Sequence, residues 1–216
     1  MATYVITGAN RGFGLALAQH LAAQGNKVIG TARDPAKATT LSAIPGVNVV
    51  ALDVTNPESN QAAAEEVARL TGGAIDVLIA NAGYYSDTLP LDFETYTSDE
   101  ALIDDLKTSF EVNAIGAVLT IKAFLPLLRA GTQKKVIYIS TPAGNPQFSK
   151  IANNYFAVSY GLSKAAGEYA VLKFGLKYAE EGFICLSLSP GMVDTSLTGS
   201  ATIKPTHLKD WSAICT

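Results

Sequence analysis

Short, unbroken runs of apolar and often β-branched residues recur along the chain at residues 3–7, 27–31, 47–52, 75–80, 135–140 and 183–189. Each run is continuous rather than alternating, which predicts strands buried on both faces. The segments between them have helical character. Residues 15–24 are rich in Ala and Leu and end at Gly25, a suitable C-cap. Pro57 can open a helix that continues through an Ala/Glu-rich stretch to Leu70. Residues 99–129 predict a long helix in two pieces, and residues 157–180 predict another. Strands alternating with helices imply parallel strands joined by right-handed crossovers. The expected architecture is an α/β doubly wound parallel sheet of about six strands, with helices on both faces in three αβα layers. No repeat, low-complexity tract or linker interrupts the pattern, so residues 1–216 are expected to form one domain.

Composition narrows the function classes. Of the 216 residues 48% are hydrophobic and only 16% charged, the balance of a packed globule rather than a disordered chain. A net charge of −3, with no basic run, gives no general attraction to nucleic acid or to an anionic membrane. The chain opens directly into Tyr4-Val5-Ile6 without a charged-then-apolar leader. No apolar stretch in the sequence approaches the roughly 18 residues needed to cross a bilayer. A soluble, cytoplasmic protein is therefore expected. Cys185 and Cys215 are too few for a disulfide framework and read as free thiols, and the isolated His20 and His207 suggest no metal site.

The first strand runs into Thr7-Gly8-Ala9-Asn10-Arg11-Gly12-Phe13-Gly14 and then a helix. A pyrophosphate must approach the backbone closely, and amide groups at a helix N-terminus favour its charge. Side chains at Gly8, Gly12 or Gly14 would block that approach or the helix–strand packing, so nucleotide binding is expected here.

The spacing TGxxxGxG resembles the short-chain dehydrogenase/reductase family more than the GxGxxG of other dinucleotide-binding folds. Further motifs follow in order: Asp53 after the third strand, Asn81-Ala82-Gly83 after the fourth and Asn113 in the central helix. Ser140 ends the fifth strand, and Tyr160-Gly161-Leu162-Ser163-Lys164 and Pro190-Gly191 complete the set. The resemblance spans residues 3–195 and implies a Rossmann-type fold and an NAD(P)-dependent oxidoreductase of the carbonyl-reductase-like branch. It implies a cofactor site built from Gly8, Asn10, Arg11, Gly12, Phe13, Gly14, Arg33, Asp53, Val54, Asn81, Ala82 and Gly83. Tyr160, Lys164, Pro190, Gly191, Val193 and Thr195 would complete it, with Asp53 near the adenine and Thr195 near the carboxamide. Single-domain members continue for several tens of residues past this point, so a C-terminal seventh strand is expected to be missing. Residues 196–216 are then expected to form a substrate lid or a flexible tail.

The second strand chooses the cofactor. It ends Gly30-Thr31-Ala32-Arg33, with Ala32 where NAD-preferring relatives carry an acid and a guanidinium next to it. With Arg11 approaching from the other side, a 2′-phosphate and hence NADP(H) is expected, although a one-residue shift to Asp34 would favour NAD(H).

Carbonyl reduction requires hydride at carbon and a proton at oxygen, and the protein supplies the proton. Bringing a tyrosine from about 10 towards 7 requires roughly 4 kcal/mol of preference for the phenolate. An ammonium about 4 Å away in a surface-like dielectric provides about that much. Tyr160 and Lys164, spaced i to i+4 on a helix, satisfy the requirement. A second pair, Tyr169 and Lys173, has the same spacing. The two tyrosines are nine residues apart, about 900° round the helix, so they point to opposite sides. Tyr160 lies nearer the helix start and is the expected proton donor, with Tyr169 a packing residue. Ser140, at the carboxyl end of its strand, can donate to the substrate oxygen. Asn113 is, by resemblance, the holder of a proton-relay water and Lys164 a partner of the nicotinamide ribose.

The expected activity is NADPH-dependent reduction of a ketone or aldehyde, with substrate contacts from residues 140–154 and 84–97 and with homodimer or homotetramer assembly. The alternatives are an NADP(H)-binding sensor or scaffold without turnover, and an epimerase or dehydratase, for which the chain lacks room for a further domain.

Overall fold

The structure, a computed structural model, describes residues 1–86 and 91–191. The apolar runs become β1 (Thr3–Ile6), β2 (Lys27–Ala32), β3 (Val47–Ala51), β4 (Val77–Ala80), β5 (Lys135–Ile139) and β6 (Ile184–Leu188). They pair in the order β3-β2-β1-β4-β5-β6, and every pairing is parallel. The order reverses between β1 and β4, and a parallel sheet binds its ligands outside the carboxyl ends of the strands at such a reversal.

Helices supply the crossovers. They are α1 (Gly12–Ala23), α2 (Thr39–Ser42), α3 (Pro57–Thr71), α4 (Asp99–Phe110), α5 (Gly116–Ala130), α6 (Pro146–Ala152) and α7 (Val158–Tyr178). Local chemistry sets their ends. Asn56 accepts from Ser59 N at 2.7 Å ahead of Pro57, and Gly72 closes α3 with a left-handed φ of 76°. The long run expected at residues 99–129 is divided by a π turn, Glu111–Ile115, which contains Asn113.

Successive residues of one strand serve opposite layers. Val5 packs with Leu78, Phe124, Leu128, Tyr138 and Val171, on the side of α3, α5 and α7. Ile6 packs with Leu15, Ala18, Val28, Leu41 and Ile79, on the side of α1 and α2. Each fully buried aliphatic or aromatic side chain contributes about 1.5–3 kcal/mol, so both faces of the central strands hold the sheet in place.

Two features differ from the sequence reading. Ile184, Leu186 and Leu188 of β6 are about half exposed, because β6 is the outermost strand and pairs only with β5 among the described residues. The continuous helical run Asp99–Ala130 does contain an 18-residue window with mean hydropathy 1.5, long and apolar enough to cross a membrane. More than half of that window is buried within the fold, where Ile121, Phe124 and Leu128 pack in the core. The seventh strand, the lid or tail and the contacts at Val193 and Thr195 fall outside the described residues.

Candidate active site

The glycine turn and the Asn81-Ala82-Gly83 segment are tied together at the reversal of strand order. Thr7 Oγ1 accepts from the backbone N–H of Asn81 at 3.0 Å and of Ala82 at 2.9 Å. Asn81 returns the contact, Nδ2 donating to Thr7 O at 2.8 Å and Gly8 O at 3.1 Å. The turn needs glycine. Gly8 has φ +63°, and a Cβ on Gly14 would stand 2.5 Å from Asn81 Nδ2 and 2.6 Å from Gly8 O. Arg11 precedes α1 without capping it, and the first turn carries no acidic residue. The leading N–H groups of α1 thus have no capping side chain, at the carboxyl edge of the sheet. That arrangement fits the pyrophosphate of a dinucleotide.

The remaining cofactor candidates follow the carboxyl ends of β1, β2, β3, β4 and β6. Asn10, Arg11, Arg33 and Gly83 are exposed, and Phe13 is half-buried. Asp34, the residue that argued for NAD(H), is otherwise occupied. Its carboxylate accepts from Ala36 N at 3.1 Å and pairs with Lys37 at 3.3 Å, whereas Arg33 carries no ion pair among the described residues. Asp53 Oδ1 accepts from Thr55 N at 3.0 Å and Thr55 Oγ1 at 2.7 Å, a strand-end turn on the nucleotide edge. Val54 points its side chain into the core, where a Cβ on Gly116 would meet Val54 Cγ2 at 2.8 Å. Pro190 is half-buried and Gly191 exposed with φ +75°, just beyond β6.

The residues expected to do chemistry come together between β5 and α7. Ser140 and Lys164 are buried, with Tyr160 alongside. Lys164 Nζ donates to Ile139 O at 2.7 Å and lies 4.8 Å from the Tyr138 ring centroid and 5.8 Å from that of Tyr160. A Cβ on Gly83 would stand 3.4 Å from Lys164 Nζ and 3.3 Å from Asn113 Oδ1, which brings the nucleotide edge against this group. Asn113 is fully buried and braces the loop after β4 in both directions. Its Oδ1 accepts from Tyr84 N at 2.8 Å, and its Nδ2 donates to Tyr84 O at 2.7 Å and to Ser163 Oγ at 3.0 Å.

Electrostatics here differ from the sequence argument. Burial pushes the Tyr160 phenol up to about 12, and the neighbouring Tyr85 adds in the same direction. The ammonium that was to lower it is turned towards Ile139 O, so desolvation of the phenolate prevails. Burial also lowers Lys164 to about 8, against an opposing pull from Glu168. Tyr138, fully enclosed, is raised well above the usual phenol value by burial and then by Tyr160 and Glu168. The phenol of Tyr160 is therefore neutral, which is the form that donates a proton.

The decoy pair separates cleanly from this cluster. Tyr169 is 64% exposed, with Lys173 Nζ 5.9 Å from its ring centroid, so it faces solvent instead of packing. Sequence reasoning missed Tyr138 and Glu168 and gave no role of its own to Thr7 of the glycine motif, whereas Tyr85 falls in the 84–97 segment expected to contact substrate. Thr7 ties two motifs, Tyr138 donates to the Asn113 carbonyl at 2.8 Å, and Tyr85 lies edge-on to Tyr160. Glu168 accepts from Ser140 Oγ at 2.5 Å. Of the two missed residues only Glu168 carried a signal, since it follows Lys164 by four residues and Tyr160 by eight on one helix face.

Comparison with known proteins agrees with this geometry. A family model described as short chain dehydrogenase matches residues 2–205. The short chain dehydrogenase virK of Hypocrea virens is 36% identical over 217 residues, covering 94% of this chain and 78% of its own. Among solved structures, an NADPH-bound carbonyl reductase from chicken fatty liver superposes with a TM-score of 0.79 at 34% identity. That alignment covers 90% of this chain and 81% of the other. An alcohol dehydrogenase from the archaeon Thermococcus sibiricus, complexed with 5-hydroxy-NADP, gives a TM-score of 0.75 at 27% identity. It covers 90% of this chain and 78% of its counterpart.

Proposed function

The chain belongs to the short-chain dehydrogenase/reductase family of oxidoreductases, and from that membership we propose that it uses NADPH to reduce a ketone or aldehyde to an alcohol, with Tyr160 as proton donor. The observation that carries the proposal is the meeting of two motifs far apart in sequence. Lys164 Nζ, 5.8 Å from the Tyr160 ring centroid, stands 3.4 Å from where a Cβ on Gly83 would lie, and Gly83 follows the Asn81 bonded to the glycine turn. NADPH is favoured over NADH by Arg33, which carries no ion pair among the described residues, and by the engagement of Asp34 with Ala36 and Lys37. The exposed Arg11 supports the same choice. The cofactor names attached to the two solved neighbours are consistent with it.

When bound, NADPH supplies a hydride to the carbonyl carbon. The chain's own residues handle the oxygen. Ser140, at the end of β5, is placed to hold it, and the neutral Tyr160 gives its phenolic proton to the oxygen as the C=O π pair becomes an O–H bond. The resulting phenolate is left beside the Lys164 ammonium, whose charge offsets it. Asn113 keeps the Tyr84–Tyr85 loop in register with α7 and so fixes the wall beside Tyr160. Tyr85, about half exposed, supports an apolar or aromatic substituent on the substrate. Exposed Ile103, Ile115, Leu162, Leu172 and Leu176, on α4, the π turn and α7, support assembly through those helices, which light scattering would test.

The test is NADPH oxidation on a panel of ketones and aldehydes. Tyr160→Phe is expected to lower kcat/KM by about 10²–10⁴ while leaving NADPH binding, read by cofactor fluorescence, unchanged. Tyr169→Phe is expected to behave as the wild type. NADPH binding without turnover on any carbonyl would instead favour a sensor.

A further inference from the structure

We propose that Glu168 is a positioning residue that governs Ser140: it holds that hydroxyl's one proton in the resting site, and Ser140 must release it to bind a carbonyl oxygen. The inference rests on the reductase reading above. A serine hydroxyl has one proton to donate and two lone pairs to accept with. Ser140 is buried at the end of β5, and its Oγ donates to Glu168 Oε1 at 2.5 Å, the length of a hydrogen bond to a charged acceptor. Glu168 stands one turn beyond Lys164 and two beyond Tyr160 on the same face of α7. The titratable groups that face it are Lys164 on its own helix and Tyr138 on β5.

The two substrates of a reversible reaction meet this arrangement differently. A carbonyl oxygen only accepts, so Ser140 must first give up the carboxylate before it can donate to the substrate. An alcohol, in the reverse of the step above, directs its one proton to Tyr160 and can bind there while Ser140 keeps its bond to Glu168. Glu168 therefore weakens ground-state binding of the carbonyl and leaves that of the alcohol untouched, while the transition state bears the cost in both directions.

Glu168→Gln removes the constraint with little change of shape. The amide can donate Nε2–H to Ser140 Oγ, which frees the serine proton for the substrate. At mildly acidic pH, where Lys164 keeps its proton, E168Q is expected to lower KM for an aryl methyl ketone with NADPH by about tenfold, the worth of a charged over a neutral hydrogen bond, with kcat unchanged. With NADP⁺ and the corresponding secondary alcohol, kcat is expected to rise by about the same factor with KM unchanged, because the overall equilibrium constant is fixed. In a Ser140→Ala background the same substitution should change neither constant. A merely structural glutamate would worsen both directions and would not depend on Ser140.

A thermal double-mutant cycle on Ser140→Ala and E168Q reads the bond without reference to turnover, and coupled shifts in Tm are expected. E168A should show the same kinetic split if the amide variant fails to fold. Wild-type constants in E168Q, persistence of its effect in the Ser140→Ala background, or additive shifts in Tm would overturn the proposal while leaving the reductase intact. Wild type with no turnover on any carbonyl would overturn the reductase reading and this proposal together.

Discussion

The Tyr138 hydroxyl donates to the main-chain carbonyl of Asn113 at 2.8 Å, joining β5 to the π turn that carries a candidate catalytic residue. Space for it is made by Gly167 on α7, where a Cβ would collide with the phenol oxygen. Tyr138→Phe keeps the ring in the core and deletes only the donor. It is expected to cost about 1 kcal/mol of stability, measured by denaturant unfolding. Turnover should fall more than that loss implies, since the Asn113 brace on Tyr84 shifts with the turn. Full activity with unchanged stability would show the bond to be incidental.

Tyr85 and Tyr160 meet edge to face, with ring centroids 6.1 Å apart at 72°. Such a pair contributes about 0.5–1.5 kcal/mol beyond its burial, and here it also shields the phenol. Tyr85→Ala lets water reach Tyr160 and removes the second cause of its raised pKa, so the phenol is expected to fall from about 12 towards its ordinary value. Ultraviolet titration of the variant against wild type would read the shift. KM for aryl ketones should rise by up to about tenfold, while small aliphatic ketones are little affected. An unshifted titration would remove Tyr85 from the site.

Lys164 predicts opposite pH trends for rate and stability. Reduction needs a neutral Tyr160 and a charged Lys164. Tyr160 keeps its proton throughout the working range, so kcat should be flat at neutral pH and fall above about 8 as Lys164 titrates. The unfolded chain holds that lysine's proton to near 10.5, whereas the folded chain releases it near 8. Between those values the unfolded state binds more protons, so this group makes stability rise with pH. A fall in rate without a matching fall in Tm across that window is the expected signature. Parallel loss of both would mean simple unfolding.

What could be read from sequence was what local pattern encodes. The β-branched runs placed all six strands to within a residue or two, and Pro57 marked the start of α3, because both depend on near neighbours. The glycine turn and the Tyr160–Lys164 spacing were legible for the same reason, the first through backbone space and the second through helix geometry. The Ser140–Glu168 bond and the Tyr138–Asn113 bond join residues 28 and 25 positions apart, and no local pattern encodes such pairs. The direction of the Tyr160 shift was misread because it depends on burial and on where Lys164 points, both tertiary. Tyr169 was assigned to packing although its side of α7 faces solvent.

Arg33 carries the cofactor prediction. Its guanidinium is exposed at the end of β2 with no ion pair among the described residues, while the adjacent carboxylate of Asp34 is held by Ala36 N–H and Lys37. A free guanidinium next to an occupied acid suits a 2′-phosphate, which it can grip in bidentate fashion, and offers little to a ribose hydroxyl. Arg33→Ala is expected to raise KM for NADPH by about 10–100-fold, the range for lost hydrogen bonds to a charged group, and to leave KM for NADH unchanged. Because the contact is solvent-exposed, added salt should weaken NADPH binding in the wild type and much less in the variant. Steady-state kinetics with both cofactors at two ionic strengths decide the matter. A wild type that prefers NADH, or a variant that loses both cofactors equally, would assign the ribose to other residues.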